Sequence, residues 1–200
     1  MDLTNLMDDF MLQKIADVLP SPLNIPIRAI SARFSRLVVR IVEPLCGSRV
    51  DPRATMTPFE LRNFGVRTDC ILMLKVAHAN GCPWNESTCM LAAEFGRFDM
   101  LKWLCARGCP WDGQTCAHAA FNGHLDILKW ARANGCPWDG RTCSEAAWGG
   151  HLDCLVFAHE NGCPWDGELC ANARSTSHYE CLEYALKNGC PDDYEGYHSD

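Results

Sequence analysis

No stretch of this 200-residue chain approaches the roughly 18 consecutive apolar residues needed to cross a bilayer as a helix, so a membrane partner is not expected. The opening MDLTNLMDDFMLQK lacks the basic start and apolar run of a secretory signal, and a cytoplasmic protein is the expectation. Also missing is any excess of positive charge. The net charge is −7, and it is unevenly spread. Residues 1–56 hold seven Lys or Arg against six Asp or Glu, whereas residues 57–200 hold eleven against nineteen. An acidic body repels phosphate backbones, which argues against nucleic acid and in favour of a basic or apolar protein surface. No phosphate-cradling loop and no nucleophile with a partnering base stand out. Neither an enzyme nor a cofactor is therefore expected.

Cysteine is abundant, with 14 in the chain. In a secreted protein that number would suggest a disulfide framework, but in a reducing compartment free thiols act as small buried hydrophobes. Their spacing has to decide. The triplet Gly-Cys-Pro begins at Gly81, Gly108, Gly135, Gly162 and Gly189, each 27 residues after the last. Four gap-free copies follow, at 81–107, 108–134, 135–161 and 162–188. Such a period is the mark of a repeat array in which neighbours bury one another's faces.

Each unit reads as two short helices. After the Gly-Cys-Pro-Trp corner comes a Thr-Cys start, then an alanine pair (Ala119 and Ala120 in the second copy), then a break at Gly123. The second segment has Asp126 near its start, where negative charge suits a helix N-terminus. Leu125, Leu128 and Ala131 supply its apolar positions, and Asn134-Gly135 stops it. Small alanines allow close helix approach, with Leu128 and Trp130 filling space between units. Residues 57–80 read as a degenerate first unit, and 189–200 as a polar tail.

The segment Gly-x-Thr-x-x-x-Ala-Ala-x-x-Gly-His-Leu-Asp-x-Leu, as in Gly113 to Leu128 and Gly140 to Leu155, resembles the ankyrin repeat. Thr115 and His118 match the Thr and His of that family's turn, with Cys116 in place of its proline. Ankyrin units run near 33 residues, so about six are missing here. The resemblance therefore implies helix pairs with tight corners and reduced or absent β-hairpin fingers. The expected fold is an all-α solenoid of stacked helix pairs. Short units with this corner look like the ankyrin-type arrays of large DNA viruses of amoebae and some protists, which would place the protein in a host cytoplasm or nucleus, bound to a host protein. A monomer is expected.

Residues 1–46 carry no repeat signal, and 47–56 read as a linker. Between Leu6 and Val39 an amphipathic helix (Phe10, Ile15, Val18, Leu19) ends at Pro20, with two further short helices after it. The segment resembles an F-box. Leu6, Asp8 and Asp9 match the opening, with Met7 replacing the usual proline, and Ile30, Arg33, Phe34 and Leu37 match the finish. The resemblance implies docking on the adaptor subunit of a cullin–RING (SCF) ubiquitin ligase through Leu6, Asp9, Ile15, Leu19, Ile30, Phe34 and Leu37. The repeats would then hold a protein substrate, and transfer would be accelerated by proximity. The competing reading is a stand-alone binding or decoy scaffold whose N-terminus caps the stack.

Three recurring features read as structure. Zinc needs sulfurs within about 2.3 Å of the metal, and equivalent cysteines of stacked units should lie about 8–10 Å apart, too far to share a metal or, given Cα atoms within about 7 Å, a disulfide. Only pairs within a unit, such as Cys136 with Cys143, could approach, and they would supply two ligands, so no metal site is expected. His124 with Asp126, and His151 with Asp153, recur at a helix start and read as turn-stabilising. Trp84, Trp111, Trp138 and Trp165 read as packing between units. Recognition should fall where copies differ: Ser87, Gln114, Arg141 and Glu168 before Thr-Cys, and Glu94, Phe95, Phe121, Asn122 and Trp148 after the alanines. Phe121 and Trp148 either anchor a partner in one groove or pack against the next helix.

Overall fold

The computed structural model describes residues 58–67, 69–79 and 82–192. Among these the regular structure is entirely α-helical, with no strand. The chain divides into two compact units, residues 1–83 and 84–200.

In the first unit, α1 (Pro58–Arg67) packs on α2 (Ile71–Ala79). Val66, Cys70, Met73, Leu74 and Ala77 are buried. A side chain at Gly65 would meet Leu74 Cδ1 at 2.7 Å, so the two helices approach closely there.

The second unit holds four helix pairs: α3 (Glu86–Glu94) with α4 (Phe98–Ala106), α5 (Gly113–Phe121) with α6 (Leu125–Ala133), α7 (Gly140–Gly149) with α8 (Leu152–Glu160), and α9 (Leu169–Ser175) with α10 (Tyr179–Lys187). From α2 onward, the second helix of every pair spans nine residues, and each starts 27 residues after the one before. Members of a pair pack on each other, and first helices pack in succession, α3 on α5 on α7 on α9. The alanine pairs make this possible. Ala92, Ala93, Ala119, Ala120, Ala146 and Ala147 are fully buried, and methyl-sized side chains let backbones come near. The second helices contribute Met100, Leu101, Leu104, Ile127, Leu128 and Leu155 to the core.

The first helices begin earlier than the Thr-Cys start read from the sequence. Asp112 and Asp139 are their N-caps, accepting from the backbone N–H groups of Gln114 at 3.0 Å and Arg141 at 3.1 Å. A carboxylate there meets an orphan donor and the positive end of the helix. Asp166 makes the same bond to the N–H of Glu168 at 3.1 Å, although α9 starts only at Leu169 and runs seven residues. In the first copy Thr88 supplies the link instead, its hydroxyl donating to Asn85 Oδ1 at 3.3 Å.

The ends of both helices obey one rule. Gly135 has φ +83°, a left-handed conformation open to glycine, and its N–H bonds the Arg132 carbonyl while that of Cys136 bonds the Ala131 carbonyl. This is the Schellman arrangement, which satisfies the last carbonyls of a helix. After α5, Gly123 (φ +74°) and His124 repeat it against Ala120 and Ala119. The corner between α6 and α7 takes only residues 134–139 and contains no strand.

Candidate interaction face

The repeated cysteines and alanines are turned inward, while the prolines of the corner, Pro83, Pro110, Pro137 and Pro164, are exposed. Cys109, Cys136 and Cys163 donate their thiols to the main-chain carbonyls of Asn85, Asp112 and Asp139, each 24 residues back in the preceding copy, at 3.6, 3.3 and 3.1 Å. The corner cysteine therefore ties one unit to the N-cap of the unit before it. Of the thirteen described cysteines all are free thiols, and all but Cys105 are buried.

The cysteines do pair, mostly across a copy boundary at a 20-residue separation, with Cys89 and Cys105 meeting inside the first copy. Cys136 meets Cys116, not Cys143, and Cys143 meets Cys163. Cys89 faces both Cys105 and Cys109, and Cys170 donates to Cys190 with the sulfurs 3.7 Å apart. The recurring 20-residue separation carried this signal in the sequence. Within a pair the contact shifts the two thiols in opposite directions, raising Cys143 and lowering Cys163. The bond to Cys116 pushes the Cys136 thiol up, as that to Cys163 does Cys143. Burial pushes Cys190 up to about 12. No cluster of three or more potential metal ligands exists among the described residues.

The histidines act between units as well. A side chain on Gly96, Gly123 or Gly150 would meet the ring of His124, His151 or His178 at 2.5 to 2.7 Å. Each imidazole thus lies against the helix-ending glycine of the preceding copy, and His124 Nε2 sits 3.2 Å from the Glu94 carbonyl oxygen. The tryptophans differ from the reading between units. Trp84, Trp111 and Trp138 stand edge-on to Trp103, Trp130 and Phe157 of their own copies, with centroids 5.4, 5.6 and 6.2 Å apart. Cross-copy contacts come from Arg132 over Trp138 at 4.4 Å and His159 stacked on Trp165 at 4.1 Å.

The varying residues read as recognition positions lie on or beside the first helices. Phe121 and Trp148, the same position in successive units, meet edge to face with centroids 5.4 Å apart, and Trp148 keeps 45% of its surface exposed. Glu94 pairs with His118 at 3.9 Å. Arg141 and Glu168 are exposed, while Ser87, Phe95, Gln114 and Asn122 are half-buried. Arg141 turns back onto its own Asp139 at 3.0 and 3.2 Å, and Asn122 spends its amide on the His118 carbonyl at 3.0 Å. Two residues absent from the sequence-based set belong here: His118 and Glu145, at equivalent positions of α5 and α7, one turn before Phe121 and Trp148. Burial holds the Glu145 carboxyl above its usual range, opposed by His118.

Protein-family models and curated proteins were compared with the chain. None matches. Leu6, Asp9, Ile15, Leu19, Ile30, Phe34 and Leu37 lie outside the described residues. Among the described residues no helix is long and apolar enough to cross a membrane.

Proposed function

We propose that the chain is a protein-interaction adaptor built as an ankyrin-like solenoid. Its repeats hold a protein substrate or host protein, and its F-box-like start docks the adaptor subunit of a cullin–RING ubiquitin ligase. The observation carrying the repeat half is the sorting of positions. The shared cysteines and alanines of the first helices (Cys116, Cys143, Ala119, Ala146) are fully buried, while the differing Trp148 and Arg141 of the same helices are exposed. A scaffold whose fold is set by shared letters is free to vary the rest, and exposed aromatics are frequent interface anchors. The ligase half rests on the F-box resemblance of residues 6–39. In this reading the protein performs no catalysis of its own.

Pull-down with the purified SCF adaptor subunit tests the ligase half. Wild type should be retained, and a Leu6→Asp, Phe34→Asp double variant should not. Equal binding, or none by wild type, leaves a stand-alone scaffold whose N-terminus serves as a cap. Trp148→Ala should weaken capture of a repeat-bound partner while shifting the melting temperature by no more than a few degrees. Equal losses of both would make Trp148 a core residue.

A further inference from the structure

The first-helix face contains a carboxylate that the fold leaves unanswered. Glu145 lies half-buried on α7 and has no hydrogen bond and no ion pair among the described residues. Its charged surroundings are evenly divided in sign. Asp166 and Glu168 repel it, His118 and Arg141 attract it, and the Arg141 guanidinium is engaged by both of its bonds to Asp139. His118 in turn is shared with Glu94 at 3.9 Å. A carboxylate partly withdrawn from water, whose attracting groups are shared with other carboxylates, is costly, and a cation brought to it gains more than it would in open solvent.

Three residues further along α7, on the same helix face, stands Trp148. Its ring is fixed edge to face against Phe121 at 5.4 Å and remains 45% exposed. Indole is the side chain that best attracts a cation over its face, and a ring already held by a neighbour loses little freedom on binding. The surrounding body is acidic, with nineteen Asp or Glu against eleven Lys or Arg over residues 57–200, so a basic segment is drawn to it at long range.

We propose that Glu145 and Trp148 form a subsite for one cationic side chain, an arginine or lysine of a basic protein segment laid along the first helices, with the carboxylate pairing the charge and the indole stacking beneath it. This deepens the interaction reading of the same face and rests on it. Phe121 holds the indole in place, so it acts as a positioning residue. The subsite belongs to the third copy alone: the second has His118 and Phe121 at these positions, and the fourth Asn172 and Ser175.

The test uses the full chain and needs no identified partner. Indole N–H resonances of ¹⁵N-labelled protein are followed while Nα-acetyl-arginine amide is added, with Nα-acetyl-citrulline amide as the neutral, near-isosteric control. Trp148→Phe assigns the Trp148 resonance. The arginine probe should shift that resonance saturably at millimolar concentration, citrulline should shift it at least fivefold less, and Glu145→Gln should abolish the difference while leaving the other tryptophan resonances in place. Equal shifts with both probes, or an arginine response that survives Glu145→Gln, overturns the subsite, as does no response. The interaction reading is judged separately by partner capture through Trp148, so a failed arginine response with intact capture removes the cation subsite alone.

Discussion

The imidazole of His151 rests on Gly123, and neither residue makes sense alone. The glycine is left-handed at φ +74° and has the ring at 2.5 Å from where a Cβ would be. Gly123→Ala should therefore cost more than the roughly 1 kcal/mol expected of backbone strain alone, reaching about 2–3 kcal/mol with the overlap. His151→Ala in the same chain should return part of it. A denaturant series on the two single variants and the double checks this, and strict additivity would refute the contact. Ser177 marks the other side of the rule. It takes the glycine's place in the last copy and keeps the left-handed turn at φ +63°. The thiols allow a second prediction. Alkylation requires the thiolate, and burial pushes Cys154 up to about 12 and Cys181 up to about 11, whereas the half-buried Cys105 is lowered by the bond from Cys89. At pH 7, iodoacetamide followed by peptide mapping should label Cys105 well before Cys154 and Cys181. Thiolate is the minority form below a thiol's pKa, so labelling of Cys181 should rise about tenfold per pH unit until pH approaches 11.

Helices were legible where a period or a stop was written locally. Asn134-Gly135, the alanine pair and Asp126 placed α5 and α6 to within a few residues, and Gly123 marked the break between them. Two things could not be read off. The N-cap role of Asp112 was hidden because the residue looks like part of the Trp-Asp-Gly corner, so the helix start was set at Thr115. The cysteine pairs were hidden because partners come from successive copies, and equivalent positions alone suggested distances too long. The candidate face was half legible. Variation singled out Phe121 and Trp148, which do meet, but Glu145 was not singled out and His118 was read only for its place in the repeat, because the surroundings of both depend on the neighbouring helix. Gly149 shows how misleading a column can be. It matches Asn122 of the copy before, yet a Cβ there would lie 2.0 Å from the Phe121 carbonyl oxygen. That clash is with the main chain of α5, so no rotamer relieves it. Gly149→Asn, though it merely copies the second unit, should lower stability by about 1–3 kcal/mol, measured as a drop in denaturation midpoint. Asn122→Gly, which loses one side-chain bond to the His118 carbonyl, should cost about 1 kcal/mol.

At the scale of the molecule, each boundary between copies uses the same parts, which makes whole units exchangeable if the chain is a solenoid. Removing residues 135–161 joins Asn134 to Gly162 and leaves Asn-Gly-Cys-Pro-Trp intact at the seam. Every recurrent contact then finds a substitute. Cys163, which bonds the Asp139 carbonyl, inherits the Asp112 carbonyl used by Cys136. His178, which lies on Gly150, inherits Gly123, and Cys116 replaces Cys143 as the thiol facing Cys163. What disappears is particular to the third copy: the Ser144–Asp166 bond of 2.8 Å and the Phe121–Trp148 contact. Stability in such an array is close to a sum of unit and nearest-neighbour terms, so the 27-residue deletion should still unfold cooperatively, with helical signal per residue unchanged and a melting temperature lowered by several degrees. A deletion of 20 residues from the same place would put a corner where a helix must start and bring unlike faces together. It should lose the cooperative transition. If both deletions behave alike in circular dichroism and thermal melts, the copies are not interchangeable units and the solenoid reading fails.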